Sequence, residues 1–287
     1  MFRYQVGDVK ITRVVESEGP TSGRFLFAEA TPEAILAHEW LKDGFATPKG
    51  HLLMAVQALV LESCGQRIVV DTCVGNDKTR SNPAWNKLQG RFIDDMAEAG
   101  HPVDKVDAVV CTHLHVDHVG WNTFLDGDRW RPTFTNARYL FGREEWVHWS
   151  ESTDAEDVQV IGDSVRPVVD AGLADLVETD HKITDEVSLE PTPGHTPGHV
   201  SVRIRSRGEE AIITGDMTHH PVQCAEPEWS SRFDTDREAG IATRRRCFAQ
   251  WHAEETRVFG THFATPTEGR VVPDGDAWRL VVGDKGR

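Results

Sequence analysis

Four potential metal ligands lie close together in the segment HLHVDH at residues 113–118. In an extended chain, residues i and i+2 point the same way, so His113 and His115 can bind one ion together. If the chain then bends, which Gly120 helps it to do, Asp117 and His118 face a neighbouring position. Neutral imidazole and carboxylate are donors that suit zinc and similar divalent ions. The spacing therefore predicts a metal site built on this segment.

A purely structural zinc site is the main alternative for this segment. Such sites are usually closed sets of four ligands that are rich in cysteine. The cysteines of this chain are odd in number, scattered and never spaced as C-x-x-C; they are Cys64, Cys73, Cys111, Cys224 and Cys247. This pattern disfavours both a cysteine zinc site and a disulfide framework. The number of His and Asp donors favours a catalytic site, and the thiols predict a reducing, cytoplasmic location.

Three later segments could complete the ligand set. A Pro/Gly-rich loop carries His195 and His199, an apolar run at 212–215 ends on Asp216, and a short apolar run at 259–261 ends on His262. Each is weak evidence alone, since an acid at a strand end often caps a turn. Beside the first segment, the combination predicts a common rim of ligands.

The predicted elements place these segments at strand ends or in adjoining loops. The apolar run at 106–111 indicates a buried strand that leads directly into His113. The other predicted strands are 9–16, 54–62, 66–70, 137–141, 187–190, 199–205, 210–214, 257–259 and 278–282. Helices are predicted at about 86–99, 143–150 and 234–255, and Thr31 followed by Pro32 opens another.

Interspersed strands and helices with hairpins indicate a mixed α/β layered fold. We predict one domain over residues 1–287, with an N-terminal extension around 17–52. That extension carries much apolar surface, including Phe25, Leu26, Phe27 and Trp40. It could be a lid or a dimer arm, and we therefore expect a homodimer.

Charge and hydropathy narrow the classes of partner. The formal net charge of -15 repels phosphate backbones and anionic lipid headgroups, so nucleic acid is not expected as a substrate. The first residues lack the basic and apolar regions of a secretory signal, and no window has the length and apolarity of a membrane span. A small, neutral substrate is the expected partner, with neither nucleic acid nor membrane.

Taken together, these residues resemble the dinuclear hydrolases of the metallo-β-lactamase superfamily, from Asp71 through the 113–118 segment to His262. The resemblance implies an αββα sandwich, in which two facing mixed sheets are flanked by helices and the metals lie at one edge. It assigns three ligands to a first metal: His113, His115 and His195. It assigns three to a second metal, with Asp216 bridging both: Asp117, His118 and His262. It places His199 outside the ligand set and gives Asp71 a supporting role.

Within the superfamily, the bridging Asp216 argues against true β-lactamases, which lack an acid there. Two branches are closest: the quorum-quenching acyl-homoserine lactonases and the methyl-parathion-hydrolase-like esterases and phosphotriesterases. Many lactonases carry a tyrosine three residues after the bridging acid, whereas this chain has His219. That difference looks more like the parathion-hydrolase group.

The expected reaction is hydrolysis of carboxylic esters or lactones by a metal-bridging hydroxide. Two ions about 3.5–4 Å apart can lower the pKa of a shared water to about 7. Zinc is the expected metal, although iron, manganese and cobalt suit the same donors. Asp117 could carry the proton to the leaving oxygen, and His219 could donate to the oxyanion or be a supporting residue. The alternatives are an organophosphate triester hydrolase and a non-catalytic metal-binding protein on the same fold.

An apolar wall is expected around such a site, because ligand pockets are mostly lined by apolar and aromatic side chains. The candidates lie in or near loops that flank the ligand segments. They are Phe92, Trp121, Trp149 and Trp229.

Overall fold

Two mixed β-sheets form the centre of the computed structural model, which describes residues 2–283. The first sheet has the strand order β1-β2-β3-β4-β5-β8-β9 and the second has β10-β11-β12-β13-β14-β15, while β6 and β7 form a separate hairpin. The strands up to β9 are β1 Arg3–Val6, β2 Val9–Thr21, β3 Leu52–Ser63, β4 Gln66–Val70, β5 Ala108–Cys111, β6 Thr123–Asp126, β7 Arg129–Pro132, β8 Arg138–Gly142 and β9 Ala174–Val177. The remaining strands are β10 Val187–Pro191, β11 Val200–Ser206, β12 Glu209–Ile213, β13 Arg257–Phe259, β14 Glu268–Asp274 and β15 Ala277–Val281.

Helices cover the outer faces of both sheets. They are α1 Gly23–Leu26, α2 Pro32–Ala37, α3 Phe92–Glu98, α4 Arg143–Ser150, α5 Ala155–Val160, α6 Arg166–Asp170, α7 Val222–Ala225 and α8 Arg237–Ala253. A π-helical turn, Ile161–Val165, joins α5 to α6.

Three buried clusters show how the layers pack. Between the sheets, side chains such as Ile68 and Val110 of the first sheet meet Val202 and Ile213 of the second. The outer face of the first sheet packs on helices α3, α5 and α6, and the outer face of the second packs on α2 and α8. Because successive side chains of a strand point to opposite faces of the sheet, each strand contributes residues to two packed layers. The predicted αββα sandwich is confirmed.

Most predicted elements are present within a few residues of their expected bounds. Strand β4, helix α4 and strand β13 match their predictions, and Thr31 caps α2 by accepting a hydrogen bond from the Ala34 N–H. The helix predicted at 86–99 was wrong in its first half. There the Lys87 N–H bonds back to the Lys78 carbonyl and the residue has a φ of 54°, so α3 begins at Phe92.

The segment around 17–52 is packed against the second sheet and α8. Phe27, Ile35 and Phe45 are buried in the same cluster as Phe248 and Trp251. Its lid and dimer-arm roles, and the homodimer, stay predictions. Within residues 2–283, no helix combines the length and apolarity that a membrane crossing requires.

Candidate metal centre

The seven predicted ligands converge at one edge of the sandwich. Strand β5 of the first sheet leads into the 113–118 loop, and β12 and β13 of the second sheet end just before Asp216 and His262. Because β12 and β13 run parallel, their carboxyl ends lie at the same edge. The fourth contribution is His195, from the loop between β10 and β11.

The first donor group consists of His113, His115 and His195. The His113 Nε2 atom lies 3.1 Å from His115 Nδ1, which lies 2.9 Å from His195 Nε2. All three rings are buried from bulk water or nearly so. Three ring nitrogens therefore point at one small volume.

The second donor group consists of Asp117, His118 and His262. The two imidazole Nε2 atoms are 3.2 Å apart, and the Asp117 carboxylate lies 3.5 Å from His262 Nε2 and 3.7 Å from His118 Nε2. Two nitrogens and a carboxylate thus surround a second volume.

Asp216 lies between the two groups and divides its oxygens between them. Its Oδ2 is 3.8 Å from His113 Nε2 and 3.5 Å from His195 Nε2. Its Oδ1 is 3.3 Å from His118 Nε2 and 3.1 Å from His262 Nε2. This is the placement that a bridging ligand requires.

Two glycines set the backbone at the ligand loops. A Cβ atom on Gly120 would lie 1.9 Å from the Val74 carbonyl oxygen. Any residue larger than glycine would therefore clash with the Val74 backbone where the chain leaves the 113–118 loop. Gly215 has a φ of 55°, and a Cβ there would lie 2.5 Å from His199 Nε2. The close approach lets His199 accept a hydrogen bond from the Asp216 N–H at 2.8 Å. His199 thus holds the Asp216 backbone, and its place outside the ligand set stays a prediction.

In three of the candidate ligand rings, the imidazole nitrogen that points away from the donor groups contacts a carboxylate or carbonyl oxygen. The His195 Nδ1–H donates to the buried Asp234 carboxylate at 2.9 Å, and the His262 Nδ1–H donates to the Ala55 carbonyl at 2.8 Å. His118 Nδ1 lies 3.0 Å from the Asp71 carboxylate. Such contacts fix the tautomer, so that the inward nitrogen presents its lone pair.

The pKa values of the histidines in the two groups shift in opposite directions. Burial, together with the neighbouring imidazoles, lowers the pKa of His113, His115 and His195 well below the usual value, so these rings are neutral. Burial also opposes charge on His262, but the Asp216 carboxylate outweighs it and raises the pKa to about 9. The acid-rich second group thus attracts positive charge even without an ion.

The donor set fits divalent metal ions. Facing imidazole nitrogens about 3 Å apart cannot all be satisfied by sharing protons, because each neutral ring carries one N–H and one lone pair. The Asp216 Oδ1 atom, which faces the second donor group, is buried without a hydrogen-bond partner. Imidazole and carboxylate converging on two volumes is the arrangement that zinc and similar ions take.

His219 faces the same region from the loop that follows β12. Its Nε2 lies 3.2 Å from Asp216 Oδ2, and its ring packs edge-on against His195 at 4.8 Å between centroids. The ring is buried, and its Nδ1 has no hydrogen-bond partner. His219 can therefore reach whatever group lies over the first donor group.

A cavity of about 770 Å³ opens above both donor groups. Of the four predicted wall residues, only Trp149 lines it; Phe92 and Trp121 stack on each other in the core, and Trp229 packs on Phe27. The prediction was wrong for these three because their side chains point into the core. The aromatic and apolar wall comes instead from Phe25, Met54, Trp85, Leu88, Val160 and Phe233.

Residues 53–250 match the family model described as the metallo-beta-lactamase superfamily. The chain belongs to this superfamily. The match spans most of the chain and includes six of the seven ligands that were predicted from the sequence, together with His219. His195 and Asp216 lie inside it, and His262 lies just beyond its end.

Curated relatives in the metallo-beta-lactamase superfamily include N-acyl homoserine lactonases from Bacillus. The protein of Bacillus thuringiensis is 24% identical over 182 residues, which is 58% of this chain and 65% of that protein. A second, from Bacillus sp, is 24% identical over 186 residues, covering 60% of this chain and 68% of that protein. The alignment thus spans just under two thirds of the first relative.

Two solved structures share the metallo-beta-lactamase superfamily fold over the whole chain. The hydrolase AbOPH is 23% identical with a TM-score of 0.83, covering 100% of this chain and 98% of that one. The dizinc quorum-quenching lactonase AidC, solved with a product, is 17% identical with a TM-score of 0.83 and the same coverage. At these identities the likeness shows the fold.

Proposed function

We propose that this protein is a hydrolase that uses two divalent metal ions to cleave carboxylic esters or lactones. The observation that carries the proposal is the division of Asp216 between two donor groups at the floor of one cavity. The N-acyl homoserine lactonases among its relatives catalyse a reaction of the same class. A non-catalytic metal-binding protein would not need a cavity above both groups.

In this proposal, His113, His115 and His195 would hold the first ion, and Asp117, His118 and His262 would hold the second. Asp216 would contribute one carboxylate oxygen to each. When bound, the ions would polarise the substrate carbonyl and lower the pKa of a water held between them, supplying the nucleophile. Zinc is our proposed metal, and iron, manganese or cobalt would suit the same donors.

In the proposed reaction, side chains of the protein would transfer protons and orient the substrate. Asp117 lines the cavity and its carboxylate faces both second-group imidazoles, so it can pass a proton to the leaving oxygen. His219 Nε2 lies on the first-ion side of Asp216, where it can donate to the developing oxyanion. Phe25 and Trp149 line the cavity beside these residues and exclude water from the reacting group.

The charge and shape of the cavity favour neutral substrates with an apolar part. No Lys or Arg within residues 2–283 lines it, whereas Glu16, Asp154 and Glu156 do. An anionic substrate would meet these carboxylates, while an acyl or aryl group would pack on Trp85 and Phe233. We therefore propose a small, neutral ester or lactone.

An aryl phosphotriester is the second candidate, and His219 is the observation that favours it. Many lactonases have a tyrosine at this position, and the shorter imidazole leaves more space over the first donor group. The aromatic wall would accept an aryl leaving group.

The test is a comparison of kcat/KM for an acyl lactone, an aryl ester and an aryl phosphotriester, with metal-loaded and chelator-stripped protein side by side. We expect chelator-sensitive turnover, with lactone or ester above phosphotriester. A kcat/KM that is highest for the phosphotriester would favour the second candidate. Undiminished turnover by stripped protein would exclude the metal mechanism, and no turnover with two ions bound would exclude the substrate class.

A further inference from the structure

Glu145 is a buried acid that the proposed reaction does not use. It lies in the first turn of α4, and only 1% of its surface is exposed. Its Oε1 accepts a hydrogen bond from the Gly198 N–H at 2.8 Å. Its Oε2 accepts from the Leu114 N–H at 3.3 Å and from the Trp149 indole N–H at 2.7 Å. Each carboxylate oxygen therefore holds a different loop.

Those two loops supply all three imidazoles of the first donor group. Leu114 lies between His113 and His115, and Gly198 lies three residues after His195. The His115–His195 nitrogen distance of 2.9 Å consequently depends on how the two loops are held relative to each other. Glu145 makes hydrogen bonds to both.

Close packing shows that this contact is built into the backbone. A Cβ atom on Gly198 would lie 2.8 Å from the Glu145 amide nitrogen, so the loop rests directly on the first turn of α4. Trp149, one helical turn after Glu145, packs edge-on against His115 with 5.0 Å between ring centroids. The carboxylate thus fixes the loops and also the indole that touches a ligand.

We propose that Glu145 is a positioning residue for the first ion: it joins the 113–118 loop to the 195–199 loop and so sets the spacing of His115 and His195. This inference rests on the proposed function, since it concerns an ion that the function requires. The hydrogen bonds of Glu145 reach neither Asp117 nor His262. Loss of the Glu145 carboxylate should therefore lower the affinity for the first ion more than the affinity for the second.

The test compares Glu145→Gln with Glu144→Gln in the full chain. Glutamine keeps the shape but has one acceptor oxygen, so its NH2 group must face an N–H donor and one loop is released. Glu144 is the neighbouring, exposed acid of α4, and its carboxylate makes no hydrogen bond to either loop within residues 2–283. Its variant therefore makes the same charge change and leaves the hydrogen bonds of both loops in place. Zinc affinity is measured for both ions by competition with a chromophoric chelator.

We expect Glu145→Gln to bind one of its two ions about 10–100-fold more weakly, the range typical for residues that orient metal ligands. The other ion should keep its affinity, and Glu144→Gln should match the wild type for both. A merely structural role would lower the melting temperature but would not separate the two ions.

A second readout identifies which ion is affected. Cobalt(II) bound beside His115 should quench the fluorescence of Trp149. The part of the quenching that is present in the wild type and absent from Trp149→Phe is the signal of this tryptophan. In Glu145→Gln, this component should titrate at about 10–100-fold higher cobalt concentration. If Glu145→Gln does not fold, Trp149→Phe tests the same link, because it removes one of the hydrogen-bond donors to Glu145. Its affinity for one ion, measured by equilibrium dialysis, should fall by a smaller factor.

The outcomes separate the inference from the proposed function. A wild type that binds no divalent ions overturns both. A wild type with two ions and a Glu145→Gln variant with unchanged affinities, or with both affinities lowered equally, overturns only the role of Glu145.

Discussion

The candidate metal-ligand cluster and the cluster around Asp163 are both buried and rich in ionisable side chains, yet they balance their charges differently. Asp163 faces two cations: Arg80 at 2.7 and 2.8 Å through both terminal nitrogens, and Lys78 at 3.5 Å. Asp216 faces imidazoles: those of His113 and His195 are neutral, whereas the pKa of His262 is raised to about 9 because the Asp216 carboxylate outweighs burial. The cluster around Asp163 has cations among its own side chains, whereas the candidate ligand cluster takes up its positive charge from outside, as protons or metal ions.

The largest effect is expected from Asp216→Ala, which removes the ligand that we propose both ions share. We expect both ions to be lost or greatly weakened and kcat/KM to fall roughly 10³-fold or more, since even one preorganised donor is typically worth 10²–10³. Metal content by mass spectrometry and kinetics on the best substrate measure this. Turnover that survives with both ions lost would show that this cluster is not the catalytic one.

The converse is expected from Asp163→Asn. It leaves Arg80 and Lys78 buried without their carboxylate, and breaking such a pair typically costs about 3–5 kcal/mol of unfolding free energy. Urea unfolding in chelator measures the loss, with Asp170→Asn, an exposed acid of α6, as control. The folded variant should keep both ion affinities. A selective loss of metal binding would break the distinction between the clusters.

Asp234→Asn sharpens the comparison within the ligand cluster. The variant weakens the acceptor for His195 Nδ1–H, so the first ion should bind about 10–100-fold more weakly. Asp71→Asn is the matched change beside His118 and should act on the second ion. Two-step zinc titrations of both variants test this, and equal effects on both ions in either variant would contradict it.

The smallest effect concerns pH. Burial lowers the pKa of Lys78 to about 7, although Asp163 opposes the shift. Above pH 7 the folded protein releases this proton, while the unfolded chain keeps it up to about pH 10.4. The unfolded state then binds more protons, so stability should rise with pH across that window and decline as pH falls toward 7. Denaturant unfolding between pH 7 and 9 should show a steeper rise for the wild type than for Lys78→Met; parallel curves would exclude the shift.

Local signals allowed the sheets to be predicted from the sequence and the candidate ligands to be proposed from it. Alternation identifies strands such as β4, and a ligand at a strand end is visible beside its strand. Asp234 and Glu145 were missed, since each touches a ligand loop from a distant part of the chain. An acid that follows a phenylalanine or opens a helix has no pattern to distinguish it.

Long-range packing also explains the other misses. Helices α5 and α6 have mixed polarity, and the pair is interrupted by the π-helical turn at Ile161–Val165. Trp121 and Trp229 lie near ligand segments in sequence, but their rings turn into the core. Lys78 and Arg80 gave no signal because their partner, Asp163, is more than 80 residues away.

The candidate ligands come from both sheets: His113 follows β5 of the first, while Asp216 and His262 follow β12 and β13 of the second. Ions held between them would act as a removable cross-link across the sandwich. Separation of the sheets would then require ion release, so loaded protein should unfold more slowly than empty protein. Metal supply would thereby set the lifetime of the protein against proteases as well as its activity.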